Sequence, residues 1–304
     1  MHNQLNPMET KTLYEGEYAF AHETLYNRED RLTKNIPFYH QLIAKHHIES
    51  VLDAGCGNGF HLLLLHKFSE IKKIIGMDYS KHMIESARYN LKDNHISSIK
   101  LVQSDFQHAN RKIKEKFDLV VCSFGISALE NEKDVVTSLK SFRHLLTGTG
   151  ILVIEDTNGD WITHHPKEID TRPIEAPFFD IIKRQNLTVR ISERMKFPRI
   201  FSSAGKRILA FGFPMVYKFM KQKSRYIRLY HHIPQNLIND HIFIRQGFFK
   251  RIDIENYRTR CLVLPKNKLI RFLRLAGFKK IEVFSDFDFR PPDDESYRYL
   301  FVAR

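Results

Sequence analysis

A glycine-rich turn that directly follows a short apolar run is the feature that most constrains how this chain can fold. Residues 51–54 (VLDA) are typical of a buried strand, and residues 55–59 (GCGNG) follow them before a segment with helical spacing. Glycine lets the backbone turn tightly and approach a ligand without interference from a Cβ atom, and a following helix presents unpaired N–H groups to an anion. The sequence therefore predicts a strand, a ligand-binding turn and a helix in this order.

The stretch around this turn alternates between short apolar runs and segments with helical spacing. Runs that are apolar on both faces, separated by enough chain for a crossover helix, are typical of a parallel sheet that is covered on both sides. We therefore predict a doubly wound, Rossmann-like α/β fold with helices on both faces of the sheet. The predicted strands of this part are Val51–Ala54, Ile74–Met77, Ile99–Val102, Asp118–Cys122 and Ile151–Ile154.

The C-terminal part is predicted to supply two further strands to the same sheet. Residues 266–276 have helical spacing and precede apolar runs at Ile281–Phe284 and Tyr299–Val302. Pro291 and Pro292 lie in the link between those runs, where a parallel crossover would need a helix. We therefore expect a seven-stranded, mostly parallel sheet whose last strand is antiparallel to its neighbours.

Charge divides the chain into regions with different compositions. The 304 residues include 48 Lys and Arg against 35 Asp and Glu, a formal net charge of +13, yet residues 1–156 hold 19 basic and 20 acidic side chains. Residues 181–251 alone hold 16 basic and 2 acidic side chains. We interpret residues 1–156 as the ligand-binding core, residues 157–264 as an inserted basic α+β lid, and residues 265–304 as the segment that completes the sheet.

The predicted lid combines strand-like segments with one basic amphipathic segment. Residues 187–192 and 257–263 alternate in polarity as strands do, whereas Pro214–Tyr230 has an apolar and a basic stripe at helical spacing. Three interpretations of the basic stripe stay open: a solvated helix face, a dock for an anionic substrate, and a helix lying on an acidic membrane surface. If the lid binds an anionic acceptor, Arg190 and Arg194 are candidate clamps for the anion.

Composition indicates the class and the compartment of the protein. A hydrophobic content of 42% is that of an ordinary soluble globular protein, and three cysteines argue against a disulfide scaffold. No apolar run reaches the roughly 18 residues that a membrane span needs, and the first residues contain no charged-then-apolar leader. We therefore expect a cytoplasmic protein. Because the predicted lid is basic, peripheral association with a membrane stays open as an alternative.

Acidic residues follow the second and third predicted strands, next to the glycine-rich turn in a parallel sheet. Asp78 ends the second strand, the position from which a carboxylate accepts hydrogen bonds from ribose hydroxyls. Asp105 and Phe106 come just after the third strand, where they could accept a hydrogen bond from an adenine amino group and stack on its ring. These residues predict a site for an adenosine-containing ligand.

At this point the chain resembles the class I S-adenosylmethionine (SAM) dependent methyltransferases. The turn after the first strand, the MDYS segment at 77–80, the SDF segment at 104–106 and the segments at 117–122 and 145–155 resemble the family's motifs, in order. The glycines are separated by single residues, whereas the dinucleotide fingerprint has two residues before its third glycine. The resemblance implies SAM as cofactor, held by Asp53, Gly55, Gly57, Gly59, Asp78, Tyr79, Asp105, Phe106 and Ser123.

Within this class the chain resembles the glycine and sarcosine N-methyltransferase branch and its small-molecule relatives. The similar segments are residues 157–160 (TNGD), 257–260 (YRTR) and 285–287 (SDF), together with an N-terminal segment that would close over cofactor and acceptor. The resemblance implies a small acceptor, methylated on nitrogen or oxygen, with Tyr18, Tyr26 and Asn158 as substrate residues. Residues 124–126 (FGI) depart from the Gly-Asn-Ser of that branch, which puts glycine itself in doubt as acceptor.

Other functions are weighed against the same residues. Cys122-Ser123 after the fourth strand provides neither an acidic metal ligand nor the Asn/Asp-Pro-Pro or Pro-Cys turn of nucleic-acid methyltransferases. We therefore predict no metal and regard nucleic acid as a disfavoured partner, and no side chain stands out as a catalytic base. A methyltransferase acting on RNA, a non-catalytic SAM-binding module and an NAD-dependent dehydrogenase stay open as alternatives.

Overall fold

Seven of the chain's apolar runs pair into one sheet in the computed structural model, which describes residues 28–164, 169–174, 224–233, 236–246, 252–293 and 295–304. The order of its strands across the sheet, with the residue ranges given in the next sentence, is β10-β11-β5-β4-β1-β2-β3. Its strands are β1 (Ser50–Ala54), β2 (Lys73–Asp78), β3 (Lys100–Gln103), β4 (Phe117–Ser123), β5 (Leu146–Thr157), β10 (Ile281–Phe284) and β11 (Arg298–Ala303).

The central strands are parallel and the last strand is antiparallel, as predicted. Strand β1 pairs in parallel with β2 and β4, and β4 with β5, so the carboxyl ends of these strands share one edge of the sheet. Strand β11 runs antiparallel to both β5 and β10. The prediction of a Rossmann-like sheet with an antiparallel last strand is therefore confirmed.

Helices cover both faces of this sheet. They are α1 (Arg28–His46), α2 (Phe60–Leu65), α3 (Lys81–Asp93), α4 (Ala109–Lys112), α5 (Glu132–Leu145), α6 (Gly159–His164) and α7 (Lys266–Leu275). Consecutive strand residues enter different apolar layers: Val51 packs with residues of α1 and α2, and Leu52 packs with residues of α5 and α7. Side chains on both faces of the central strands are thus buried, which explains why these strands are continuous apolar runs.

Two sequence-based predictions about helices are corrected. Proline is favoured in the first turn of a helix, so the sequence predicts a helix that begins near Pro37, but α1 begins at Arg28 and contains Pro37 in its interior. Residues 224–230 were expected to continue a basic helix, but Ser224–Ile233 is strand β7. Tyr226, Ile227 and Tyr230 are good strand formers, and pairing with a neighbouring strand satisfies backbone groups that an amphipathic stripe alone does not.

Strand β7 belongs to a second, four-stranded sheet of order β6-β7-β8-β9. The other strands are β6 (Ile169–Ile174), β8 (Asn236–Gln246) and β9 (Ile252–Leu262), and β9 confirms the predicted strand that begins at residue 257. Of the described residues, 171–174, 224–227, 242–246 and 252–256 belong to one compact unit, and the others belong to a second one. The predicted strand at 187–192 and the candidate residues Tyr18, Tyr26, Arg190 and Arg194 lie outside the described residues.

The described helices do not include a candidate membrane span. None of them combines the length and the apolar character that crossing a bilayer requires.

Candidate cofactor site

The glycine-rich turn leaves β1 through three residues in left-handed backbone conformations. Gly55, Gly57 and Gly59 have φ angles of 79°, 52° and 87°, which side-chain-bearing residues rarely adopt. The N–H groups of Gly55 and Cys56 both donate to the carbonyl oxygen of Met77, at 2.7 and 2.9 Å, and attach the turn to the end of β2. A Cβ atom on Gly57 would contact nothing within 4 Å among the described residues, so the backbone there faces open space.

Asp78 connects the turn to the end of β2. Its Oδ2 accepts a hydrogen bond from the Gly57 N–H at 3.0 Å, and its Oδ1 accepts one from the Ser80 N–H at 2.9 Å. Burial raises the pKa of Asp78 to about 6, although these backbone hydrogen bonds act in the opposite direction. Asp78, the residue predicted to bind ribose, is therefore already positioned by two backbone donors, and each of its carboxylate oxygens retains a lone pair for a further donor.

Asp53 lies beneath the turn and is almost completely buried. Its side chain is 1% exposed, and no hydrogen-bond donor of the described residues reaches either carboxylate oxygen. Nδ1 of His61, on α2, is 3.9 Å from Oδ1. Burial, followed by the negative charge of Asp78, raises the pKa of Asp53 to about 8. A buried carboxyl group without donors is costly and indicates a partner that lies outside the described residues, in a ligand or in another part of the chain.

The adenine-side candidates occupy two different environments after β3. Asp105 is half exposed, and its Oδ1 accepts hydrogen bonds from the N–H of His108 at 2.8 Å and contacts the His108 ring nitrogen Nδ1 at 2.7 Å. Phe106 is 9% exposed and belongs to the apolar core. Tyr79 is partly buried, and its carbonyl oxygen accepts a hydrogen bond from Gln103 at 3.1 Å. Asp105 and Tyr79 thus border the site at the surface, whereas Phe106 supports it from below.

The turn after β4 is held by a buried ion pair. Ser123 Oγ donates to Glu155 Oε2 at 2.9 Å, and Arg298 Nη1 lies 3.0 Å from Glu155 Oε1. The N–H of Phe124 donates to the Glu155 carbonyl oxygen at 2.7 Å, while Phe124 has a φ of 51°, which is uncommon for an aromatic residue. Arg298 also reaches Asp286 at 3.1 Å. The position of Ser123 therefore depends on residues from β5 and β11.

Sequence reasoning missed two acidic residues at the end of β5. Besides Glu155, Asp156 is buried, and it accepts hydrogen bonds from the N–H and the Oγ of Ser127 at 2.8 and 2.6 Å. Burial raises the pKa of Asp156 to about 6 despite these hydrogen bonds. Two consecutive carboxylates at the end of an apolar run were a signal available in the sequence, because charged residues are rarely buried without partners.

Asn158 acts as the cap of helix α6. Its Oδ1 accepts hydrogen bonds from the N–H groups of Asp160 and Trp161, at 2.9 and 3.2 Å, and its Nδ2 donates to the carbonyl oxygen of Ser296 at 2.8 Å. The side chain is completely buried. These contacts favour a structural role, and contact of Asn158 with substrate stays a prediction.

The sheet brings most of the predicted cofactor residues to one edge. The predicted residues Asp53, Asp78 and Ser123 lie at or near the carboxyl ends of β1, β2 and β4, the edge at which open α/β sheets bind ligands, and Glu155 joins them from β5. Helix α2 has only six residues, so we expect its dipole to contribute little to the binding of an anionic group, and the backbone of the turn is the more important feature. Within the part of the chain that the structure describes, no cluster of His, Cys, Asp or Glu is arranged to hold a metal ion.

The sequence of this chain is similar to those of known methyltransferases. A family profile described as a methyltransferase domain matches residues 45–205. The glycine/sarcosine N-methyltransferase of Aphanothece halophytica is 30% identical over 166 residues, which cover 52% of this chain and 61% of that protein. The demethylmenaquinone methyltransferase of Lactococcus lactis is 32% identical over 134 residues, covering 43% and 47% of the two chains. This chain thus aligns with less than two thirds of the length of these relatives.

Solved structures share the fold of this chain. The CcbJ methyltransferase from Streptomyces caelestis has a TM-score of 0.66 at 16% identity, covering 97% of this chain and 98% of that one. The sugar N-methyltransferase KedS8 from a Streptoalloteichus species has a TM-score of 0.63 at 15% identity, covering 100% and 95%. At such low identity the similarity concerns the fold.

Proposed function

The chain belongs to the class I SAM-dependent methyltransferase family, and from that premise we propose that it methylates a small acceptor at the edge of the sheet described above. The observation that carries the proposal is the joining of the glycine-rich turn to Asp78 through the Gly57 N–H. It preforms the part of the site that a nucleoside ligand needs.

The residues of the turn fit SAM as the ligand. Gly57 offers backbone that faces open space, and Asp53 offers a buried carboxyl group without donors among the described residues. We assign the methionine end to Asp53, Gly55, Gly57 and Gly59, the ribose to Asp78, and the adenine to Asp105 with Tyr79 nearby. When bound, SAM would supply a methyl group on a positively charged sulfur, and the ionised form of the carboxyl groups at this edge favours such a cation.

The acceptor is proposed to be an amine, with a hydroxyl group as the alternative. The first-described relative is an N-methyltransferase by name, and KedS8 is a sugar N-methyltransferase. Methyl transfer needs the acceptor aligned with the methyl group in a dry pocket and does not require a dedicated base when the amine is neutral. Ser123, held by Glu155, and the adjoining turn are proposed to shape the acceptor side.

The basic residues of the predicted lid, residues 157–264, extend this proposal to the charge of the acceptor. Sixteen basic and two acidic side chains between residues 181 and 251 favour an acceptor with a carboxylate or phosphate group, presented in the cytoplasm or at an anionic membrane surface. Arg190→Gln and Arg194→Gln should then raise the KM for the acceptor and leave kcat little changed. Arg290→Gln, at an exposed ion pair, is the matched control. An unchanged KM would contradict this part.

Calorimetric titration tests the cofactor assignment. We expect the purified protein to bind SAM and its demethylated product and not NAD, and we expect Asp78→Ala to lose that binding while remaining folded. Binding of NAD in preference to SAM would overturn the proposal. Binding of SAM without turnover of any amine or hydroxyl acceptor would instead favour a non-catalytic binding module.

A further inference from the structure

The ring of Phe106 separates two stretches of bare backbone. A Cβ atom placed on Gly55, in the glycine-rich turn, would lie 3.1 Å from Cζ of Phe106. A Cβ atom placed on Gly125, in the turn after β4, would lie 2.8 Å from the same Cζ atom and 3.0 Å from Cε2. Contacts below 3.0 Å essentially do not occur for real Cβ atoms. Both turns therefore approach the tip of one ring, and each does so at a glycine.

The ring of Phe106 is also packed against a second aromatic side chain. Behind it, Phe142 of α5 packs in an edge-to-face arrangement with ring centroids 5.3 Å apart, and Phe142 is completely buried. Cys122 Sγ would lie 2.9 Å from a Cβ atom on Gly125, so the space at this glycine is closed by a second side chain as well. Because packed interiors resist compression, a displacement at one turn must pass through the ring to the other.

We propose that Phe106 is a positioning residue that sets the spacing between the glycine-rich turn and the turn after β4, and that Gly125 is glycine because this spacing leaves no space for a side chain. The inference rests on the proposed function, since these two turns would bound the cofactor and the acceptor. It gives Phe106 a supporting role, which agrees with its 9% exposure.

The spacing matters for binding because the glycine-rich turn is also the partner of Asp78. Gly55 donates to Met77, and two residues later Gly57 donates to Asp78. A ring forced toward Gly55 would strain both hydrogen bonds, and the expected consequence is weaker SAM binding. Gly125 itself makes no contact with the cofactor in this proposal, so any effect of its substitution is transmitted through Phe106.

The test is a double-mutant cycle read out by calorimetric SAM binding. Gly125→Ala should raise the Kd for SAM by about tenfold, because the added methyl group meets Cζ of Phe106. In the Phe106→Leu background, which lacks that atom, the same change should cost at most about twofold, because the remaining contact with Cys122 Sγ does not involve the glycine-rich turn. Gly148→Ala is the matched control, because a Cβ atom there would contact nothing within 4 Å of the described residues.

General destabilisation is separated from positioning by a second glycine. A Cβ atom on Gly159 would lie 2.5 Å from the carbonyl carbon of Leu264, so Gly159→Ala should lower the unfolding midpoint without changing the Kd for SAM. If Gly125→Ala does not fold, Phe106→Leu alone must raise the Kd while Gly148→Ala does not. Equal costs of Gly125→Ala in both backgrounds, or an unchanged Kd, would overturn the role of Phe106. Failure of the wild-type protein to bind SAM would overturn the proposed function and, with it, this inference.

Discussion

Removal of Arg298 is the perturbation with the largest effect that the structure allows us to predict. Glu155 is 0% exposed and Arg298 is 18% exposed, and their nearest atoms are 3.0 Å apart. The substitution Arg298→Met keeps much of the side-chain volume but removes the positive charge. Glu155 then retains Ser123 as donor to Oε2 and loses the positive charge of the Arg298 guanidinium at Oε1.

The expected loss in the free energy of unfolding follows from the burial of the Glu155 charge, which remains after Arg298 is replaced. Removing one partner of a buried ion pair typically costs about 3–5 kcal/mol, because the other charge stays desolvated. Arg298 also contacts Asp286, at 3.1 Å, but that carboxylate is partly exposed and adds less. The double variant Arg298→Met with Glu155→Gln should recover most of the lost free energy of unfolding, because neither residue of the former pair then carries a charge.

Urea denaturation at neutral pH measures this free energy of unfolding. Arg290→Met is the control, because Arg290 pairs with Asp288 at 2.6 Å but both side chains are more than half exposed, and we expect little change there. The argument is refuted if Arg298→Met lowers stability no more than Arg290→Met does. It is also refuted if the double variant is no more stable than Arg298→Met alone.

Three further predictions concern stability. The pKa of Asp53 is raised from 3.8 to about 8, so the stability that this group contributes is lost as the pH rises between these values. In urea titrations, Asp53→Asn should therefore be more stable, relative to wild type, at pH 9 than at pH 5. An equal difference between variant and wild type at both pH values would contradict this. Gly159→Ala should destabilise by about 1–3 kcal/mol because Leu264 backbone blocks the methyl group, with Gly148→Ala unchanged, and equal stabilities would be contrary evidence. Asn158→Ala should cost about 0.5–2 kcal/mol through loss of the helix cap, and an unchanged denaturation midpoint would count against that role.

The strands of the main sheet were predictable because their signal is local. Both faces of the central strands are buried, so each strand is a short apolar run, and residues 51–54 and 151–154 fall within β1 and β5. The antiparallel last strand followed from Pro291 and Pro292 in its connection. Where pairing partners decided the structure, the same reasoning failed: Ser224–Ile233 carries helical spacing yet forms a strand of the second sheet.

The sequence by itself determined the sheet, the glycine-rich turn and the presence of Asp78 after β2, because periodicity, turn chemistry and residue type are properties of neighbouring residues. Only the tertiary structure decided how the site is supported. Glu155 and Arg298 are 143 residues apart in the chain, and Phe106 meets Gly55 and Gly125 from different connections. Such contacts arise when distant segments pack against each other, and no pattern within one segment encodes them.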